Sequence, residues 1–361
     1  MMKIVQICAG RDRSVVLSSD GSAYGWGSVK RLGARLPPGY PDDICLANPS
    51  EIGHNRYAQP VPQALNPKQP FSAMVDGYTS TLAVQRSGSV LSFQPVVSDE
   101  GAAYAEISGL PPAPTQLAAC ESANFALYRD GTVWSWGMQA NGQLGRHTTA
   151  SWSGPGQVTG LTSIVMLAAG NGHMLALDKQ GQVWAWGANA AGQLGTGGLA
   201  ESAVPTAVKL PARIQKVAAG DTHSFAVDDA GRLWGWGSNN FGQLGAASAQ
   251  YSSAPLLIHT GFAIGHIDAG MYYSVATSSQ GEVFAWGWNG MGQLAQGGLA
   301  FSATPVRIKA LSGITRIAAG VGHALALSAE GVFAWGDNRA SACGAVPTVA
   351  VQTKPHRVFF A

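Results

Sequence analysis

The sequence predicts an all-β chain: a single seven-bladed β-propeller of four-stranded antiparallel blades, with the ring closed by the two chain ends. Three observations predict it. Gly170, Gly220, Gly270 and Gly320 each end a run of apolar and small residues and follow one another at intervals of 50 residues, and a fixed period of this length marks a repeat architecture. One period earlier stands Leu117-Ala118-Ala119-Cys120, and weaker copies end at Gly77 and Gly10, giving seven units. Each unit holds four short strand signals, a sheet that hides both faces only when stacked between neighbours.

The elements follow in order within a unit. The opening run, such as Leu167-Ala168-Ala169, reads as the first strand. A G-x-x-H turn then leads to the alternating Met174-Leu175-Ala176-Leu177, the second strand. A tight turn ending in glycine (Gln180-Gly181, with Asp130-Gly131, Ala230-Gly231, Gln280-Gly281 and Glu330-Gly331 elsewhere) enters a third strand, Val183-Trp184-Ala185-Trp186-Gly187. A Gly-Gln-Leu-Gly loop follows at 142–145, 192–195 and 242–245, then a Pro-led fourth strand such as Pro205-Thr206-Ala207-Val208. The Trp closing the third strand (Trp26, Trp136, Trp186, Trp236, Trp286, Trp335) is expected to wedge between blades, and the small Ala-Ala-Gly segments to approach the axis. The Pro-led segment at Pro355 brings the C-terminal end back to the N-terminal blade.

Composition fits a folded, turn-rich domain: 46% hydrophobic residues, 47 glycines and 19 prolines. Charged residues make up 12% and the net charge is +2, with no long run of Lys or Arg. Neither a nucleic-acid partner nor insertion into a membrane is expected. Cys8, Cys45, Cys120 and Cys343 lack C-x-x-C spacing and read as buried free thiols. No signal peptide precedes the first repeat, so the expected location is cytoplasmic. The whole chain, 1–361, reads as one domain with an insertion loop within 28–70 between repeats one and two, where Gly10 and Gly77 stand 67 residues apart.

The A-G-x-x-H, Trp-Gly and G-Q-L-G elements resemble the repeat of the regulator of chromosome condensation family, whose fold is a seven-bladed propeller. Repeats three to six match best, so the chain reads as a divergent member. Repeat two carries Phe93-Gln94 in place of Trp-Gly, and repeat seven carries Ser341-Ala342-Cys343-Gly344 in place of G-Q-L-G. The resemblance implies a range of roles, because relatives serve as nucleotide exchange factors for a small GTPase, as chromatin binders and as a plant UV-B photoreceptor. The basic tail of the chromatin binders is missing. The photoreceptor's Trp after the first-strand glycine is replaced by Asn171, Asp221, Met271 and Val321.

An antiparallel meander places the G-x-x-H turns and the G-Q-L-G loops at the same end of every blade. The insertion emerges on that face with Tyr40, Asp42, Asp43, His54, Arg56 and Tyr57, and it reads either as an ordered binding loop or as a decoration. Aromatic residues that break the repeat add to the face: Trp152, Tyr251 and Phe301 in the third–fourth loops, Trp288 after a Trp-Gly, and Tyr272 beside Tyr273 in a first–second turn. His173, His223 and His323 occupy equivalent positions around a ring. They therefore read as structural hydrogen-bonding groups rather than as convergent metal ligands, with Arg13, Ser80, Ala123 and Tyr273 standing in their place in the other units. No catalytic motif is present, and no cofactor or metal is expected. The reading is a non-catalytic protein-binding scaffold whose partner is another protein. Guanine nucleotide exchange on a small GTPase and a structural part in a larger assembly are the alternatives.

Overall fold

Each repeat unit folds as an antiparallel meander whose first strand lies innermost in the ring. The computed structural model describes residues 2–31, 56–65, 70–78, 81–93, 96–97, 104–246, 249–344 and 349–360. Seven antiparallel sheets succeed one another along the chain. Their first strands are Ile4–Ala9, Phe71–Asp76, Gln116–Ala119, Ile164–Ala169, Ile214–Ala219, Ile264–Ala269 and Arg316–Ala319. Their outer strands are Arg56–Ala64, Tyr104–Glu106, Trp152–Gln157, Ser202–Val208, Tyr251–Ile258, Ser302–Arg307 and Val351–Val358. Blade 1 gains a fifth member, Val96–Val97, which runs parallel to Lys30 and Arg31.

The core is divided between the blades. Each of seven apolar clusters joins two neighbours: Phe125 of blade 3 packs with Met174 and Trp186 of blade 4, and Phe225 of blade 5 with Trp286 of blade 6. The cluster holding Leu325 and Ala334 of blade 7 together with Val16 and Trp26 of blade 1 closes the ring. Trp26 Nε1 donates to Ala342 O at 2.8 Å across the same seam, and Val321 N to Gly10 O at 3.1 Å. Closure therefore rests on packing and hydrogen bonds between the facing sheets of the two terminal blades.

The repeated tryptophans Trp26, Trp186, Trp236, Trp286 and Trp335 are buried completely or nearly so, as is Trp136. Trp186, Trp236, Trp286 and Trp335 donate Nε1 to the main-chain carbonyl of the preceding blade's loop glutamine, Gln143, Gln193, Gln243 and Gln293, at 2.7–3.0 Å. Burial of a large indole thus comes with its one donor satisfied. The following glycine has a steric origin: Gly187 has φ +102° at a bulge between the third and fourth strands, and a Cβ there would lie 2.4 Å from Gly172 O.

Two expectations need adjustment. Arg56 and Tyr57, read as loop residues, begin the outer strand of blade 1 opposite Lys30 and Val29, because the third strand continues to Arg31 and draws the returning chain into register. Trp152 and Tyr251 likewise open outer strands, opposite Met138 and Ser238, instead of standing in loops. Residues 32–55, with Tyr40, Asp42, Asp43 and His54, lie outside the described residues, as do Cys45 and Ser80. Cys8, Cys120 and Cys343 are free thiols, and burial pushes Cys8 up to about 12.

Candidate functional site

The face carrying the first–second turns and third–fourth loops is held from below by a repeated stitch. His173 Nε2 lies 2.9 Å from Ser224 Oγ in the next blade, and that hydroxyl donates to Gln193 O at 2.8 Å, the carbonyl that also receives Trp236 Nε1. The serine's single proton is committed to the carbonyl, so the histidine must be the Nε2–H tautomer. The same arrangement joins His223 to Ser274 and Gln243 O, and His323 to Ser14 and Ala342 O. Burial lowers all three imidazoles, His173 and His223 to about 3, and keeps them neutral. Where the histidine is replaced, other bonds serve: the buried Arg13 pairs with Asp76 at 2.9 Å, and Tyr273 Oη donates to His323 O at 2.5 Å.

Above the stitch, the third–fourth loops of blades 4, 5 and 6 are each wound around one buried amide. Asn189 donates Nδ2 to Gly198 O and Ala200 O at 3.0 and 2.8 Å, while its Oδ1 accepts Leu194 N at 2.9 Å. Asn289 repeats the pattern, and Asn239 does so toward Ala246 O and Ala249 O. The loops are thus fixed by internal bonds before any partner arrives, which reduces the ordering cost of binding. The signal, Trp-Gly-x-Asn, stands in the sequence at Trp186, Trp236, Trp286 and Trp335, yet the motif reading passed over it.

Trp152, Tyr251 and Phe301 occupy one equivalent position in blades 3, 5 and 6, immediately before the serine that pairs with the Trp-Gly glycine. They form an outer rim, 63%, 49% and 67% exposed, with Glu201 at the corresponding place in blade 4. Tyr272 and Trp288 sit further in and are half-buried. They meet Phe241, whose ring centroid lies 4.9 Å from that of Tyr272 and 6.4 Å from that of Trp288, so that an aromatic cluster bridges blades 5 and 6. Phe241 escaped the sequence reading because it occupies the variable place just before Gly242. The exposed Leu199 and Leu299 escaped it as well, within Gly-Gly-Leu-Ala segments. Trp152, Tyr251 and Phe301 make no ring contact with this cluster, so the face presents an inner patch and a separate rim.

At the axis, the seven first strands enclose a cavity of about 740 Å³. Its end at this face is spanned by Tyr78 of blade 2, whose hydroxyl reaches across to Asp221 of blade 5, where Asn171 also donates at 3.4 Å. Burial raises Asp221, with the Tyr78 and Asn171 hydrogen bonds working against it. Among the described residues, no group of three or more His, Cys, Asp or Glu side chains is placed to hold a metal ion, and no helix is long and apolar enough to cross a membrane.

The architecture and its recurring elements define the chain as a seven-bladed propeller built from condensation-regulator repeats. The RCC1-like domain profile matches residues 98–360, and the regulator of chromosome condensation (RCC1) repeat profile matches residues 4–28. The chain belongs to the RCC1-like domain family. Among solved structures, human WBSCR16 is similar over 94% of both chains at 23% identity, with a TM-score of 0.78. Prp20p from Saccharomyces cerevisiae, described with its binding properties to Gsp1p and histones, is similar over 91% of this chain and 83% of its own at 19% identity, with a TM-score of 0.74. The CRINKLY WD40 ectodomain of the Arabidopsis thaliana receptor kinase ACR4 is more distant, at 13% identity over 93% of this chain and 98% of its own, with a TM-score of 0.51. At these identities the likeness establishes the fold. A comparison with curated protein sequences finds no match.

Proposed function

We propose that this chain is a non-catalytic protein-binding propeller that recognises another protein with the face bearing Phe241, Tyr272, Trp288 and the rim of Trp152, Tyr251 and Phe301. The observation that carries the reading is the rim: three large aromatic side chains left in water at one repeated position, above loops already fixed by their own hydrogen bonds. Isolated apolar side chains are common on surfaces, but aromatic residues gathered on one face mark sites where a partner supplies the missing burial. The insertion within 28–70 belongs to the same proposal, with Tyr40, Asp42, Asp43, His54, Arg56 and Tyr57 as its contact candidates. Nucleotide exchange on a small GTPase would use this insertion. It rests on fold likeness alone and stands second.

The test compares wild type with a Trp152→Ser, Tyr251→Ser, Phe301→Ser variant. A partner identified by cross-linking to the wild type is purified and titrated against both proteins. The reading expects the triple variant to keep its melting temperature and to lose at least about tenfold in affinity. Equal affinity would remove the rim from the site.

A further inference from the structure

The opposite end of the axial cavity carries a second candidate site. Four residues before each first-strand glycine, or before Cys120 in blade 3, stand Gln6, Ala73, Gln116, Met166, Lys216, His266 and Arg316, one in each blade. Because strand residues two apart share a face, all belong to one level of the wall, about 13 Å from the glycines at roughly 3.3 Å per residue. In blades 1 and 3 this position has a structural duty: Gln6 bonds to both Met74 N and Met74 O, and Gln116 to both Leu167 N and Leu167 O. Lys216 performs part of that duty by donating Nζ to Gly265 O. His266 and Arg316, on the next two blades, do not. Among the described residues, neither side chain has a hydrogen-bond or ion-pair partner, although both line the cavity.

The acidic groups of the wall are already engaged. Asp76 is paired with Arg13, Asp221 receives Tyr78 and Asn171, and Asp268 accepts Ala319 N and Ala269 N at 2.9 Å each. Three cationic or protonatable side chains on consecutive blades therefore face one mouth of a cavity whose other end is spanned by Tyr78. The His266 ring is held low by burial and then by the charges of Lys216 and Arg316 on either side. Cations facing one mouth without a carboxylate partner cost energy unless an anion joins them, and a guanidinium and an ammonium on either side of an imidazole suit a multiply charged oxyanion.

We propose that Lys216, His266 and Arg316 form a binding site for a phosphate group at the axial mouth opposite the aromatic face, with space in the cavity for the rest of a small phosphorylated molecule. The proposal is independent of the protein-recognition reading, since it uses the other end of the ring and other residues.

The test is isothermal titration of the full chain with pyrophosphate at fixed ionic strength, with inorganic phosphate and ADP as parallel arms. The expected result is saturable, single-site binding of pyrophosphate that weakens about tenfold or more in Arg316→Gln and is unchanged in Lys209→Gln, on an exposed outer strand end. Inorganic phosphate bound almost as well as ADP assigns recognition to the phosphate alone, and tighter ADP places the nucleoside in the cavity; both support the site. Arg316 has no partner to lose on substitution, so its variant folds as the wild type does, whereas Lys216→Gln must first pass a melting-temperature check. No binding of pyrophosphate, binding that does not saturate, or an equal loss in Lys209→Gln would overturn the proposal.

Discussion

His173 Nε2 and Ser224 Oγ, 2.9 Å apart, join blade 4 to blade 5 through a fully buried polar bond that is repeated at His223 with Ser274 and at His323 with Ser14. The third copy spans the closure of the ring. Since the serine passes its own proton to the preceding loop carbonyl, its removal strands a histidine donor and takes from the carbonyl one of its two donors, leaving Trp236 Nε1. Ser224→Ala is expected to destabilise the fold by about 1–3 kcal/mol in urea unfolding, and a cost below about 0.5 kcal/mol, the lower end for one hydrogen bond, would argue against the stitch.

The histidines also set a pH dependence. The folded values of His173 and His223, about 3, lie far below the ordinary value near 6.5, so between those limits the unfolded chain takes up protons that these two residues refuse in the folded chain. Their contribution to stability is complete above about pH 6.5 and is lost as pH falls toward 3, at about 1.4 kcal/mol per pH unit for each histidine. Asp268, pushed up to about 6 by burial, titrates in the opposite sense from about pH 6 to 4 and offsets part of the loss. Denaturation midpoints measured from pH 7.5 to 5 should fall, and His173→Gln should make the slope shallower. A flat profile would contradict the buried neutral histidines.

A steric exchange accompanies the same stitch. The His173 ring lies on Gly170, where a Cβ would stand 2.2 Å from Cε1 and 2.4 Å from Gly220 O. Blade 3 has Cys120 in the glycine position and Ala123 in the histidine position: with no ring above it, the side chain is tolerated. Gly170→Ala should cost about 1–3 kcal/mol through overpacking, and Gly170→Cys combined with His173→Ala should recover part of what each change loses alone. A double variant no better than the sum of the singles would separate the two positions.

The link between blades 1 and 2 is ionic. Arg13 and Asp76 are both buried, 2.9 Å apart, and Arg13 also donates to Gly77 O at 3.3 Å. Arg13→Ala leaves a carboxylate without its partner and should lower stability by about 3–5 kcal/mol, read as a large drop in melting temperature. An unchanged melting temperature would show that blade 1 is held by its apolar cluster alone.

Much of this fold was legible because a repeat writes its own alignment. Gly170, Gly220, Gly270 and Gly320 fix the register, and the structure shows what favours glycine in these four blades: each faces the carbonyl of the next blade's glycine, or of Gly10 at the closure, at 2.3–2.5 Å from a notional Cβ. The partners of the histidines were not legible. Ser14, Ser224 and Ser274 look like ordinary small residues of a buried strand, and each bond joins residues in different blades. Tyr78 and Asp221 are separated by 143 positions and meet only because the ring brings blade 2 opposite blade 5. The rim aromatics were visible as departures from the repeat, but their shared position emerged from strand pairing, and Phe241 from its contacts with Tyr272 and Trp288.

The central claim, recognition of a protein by the aromatic face, is tested most directly by position-specific photo-cross-linking. Benzoylphenylalanine placed at Phe301 is compared with the same probe at Asp229, in a second–third turn at the opposite end of blade 5. The account predicts a discrete protein adduct from position 301, none from position 229, and loss of the first when Trp152 and Tyr251 are changed to Ser. Adducts confined to position 229, or a 301 adduct indifferent to those substitutions, would contradict it.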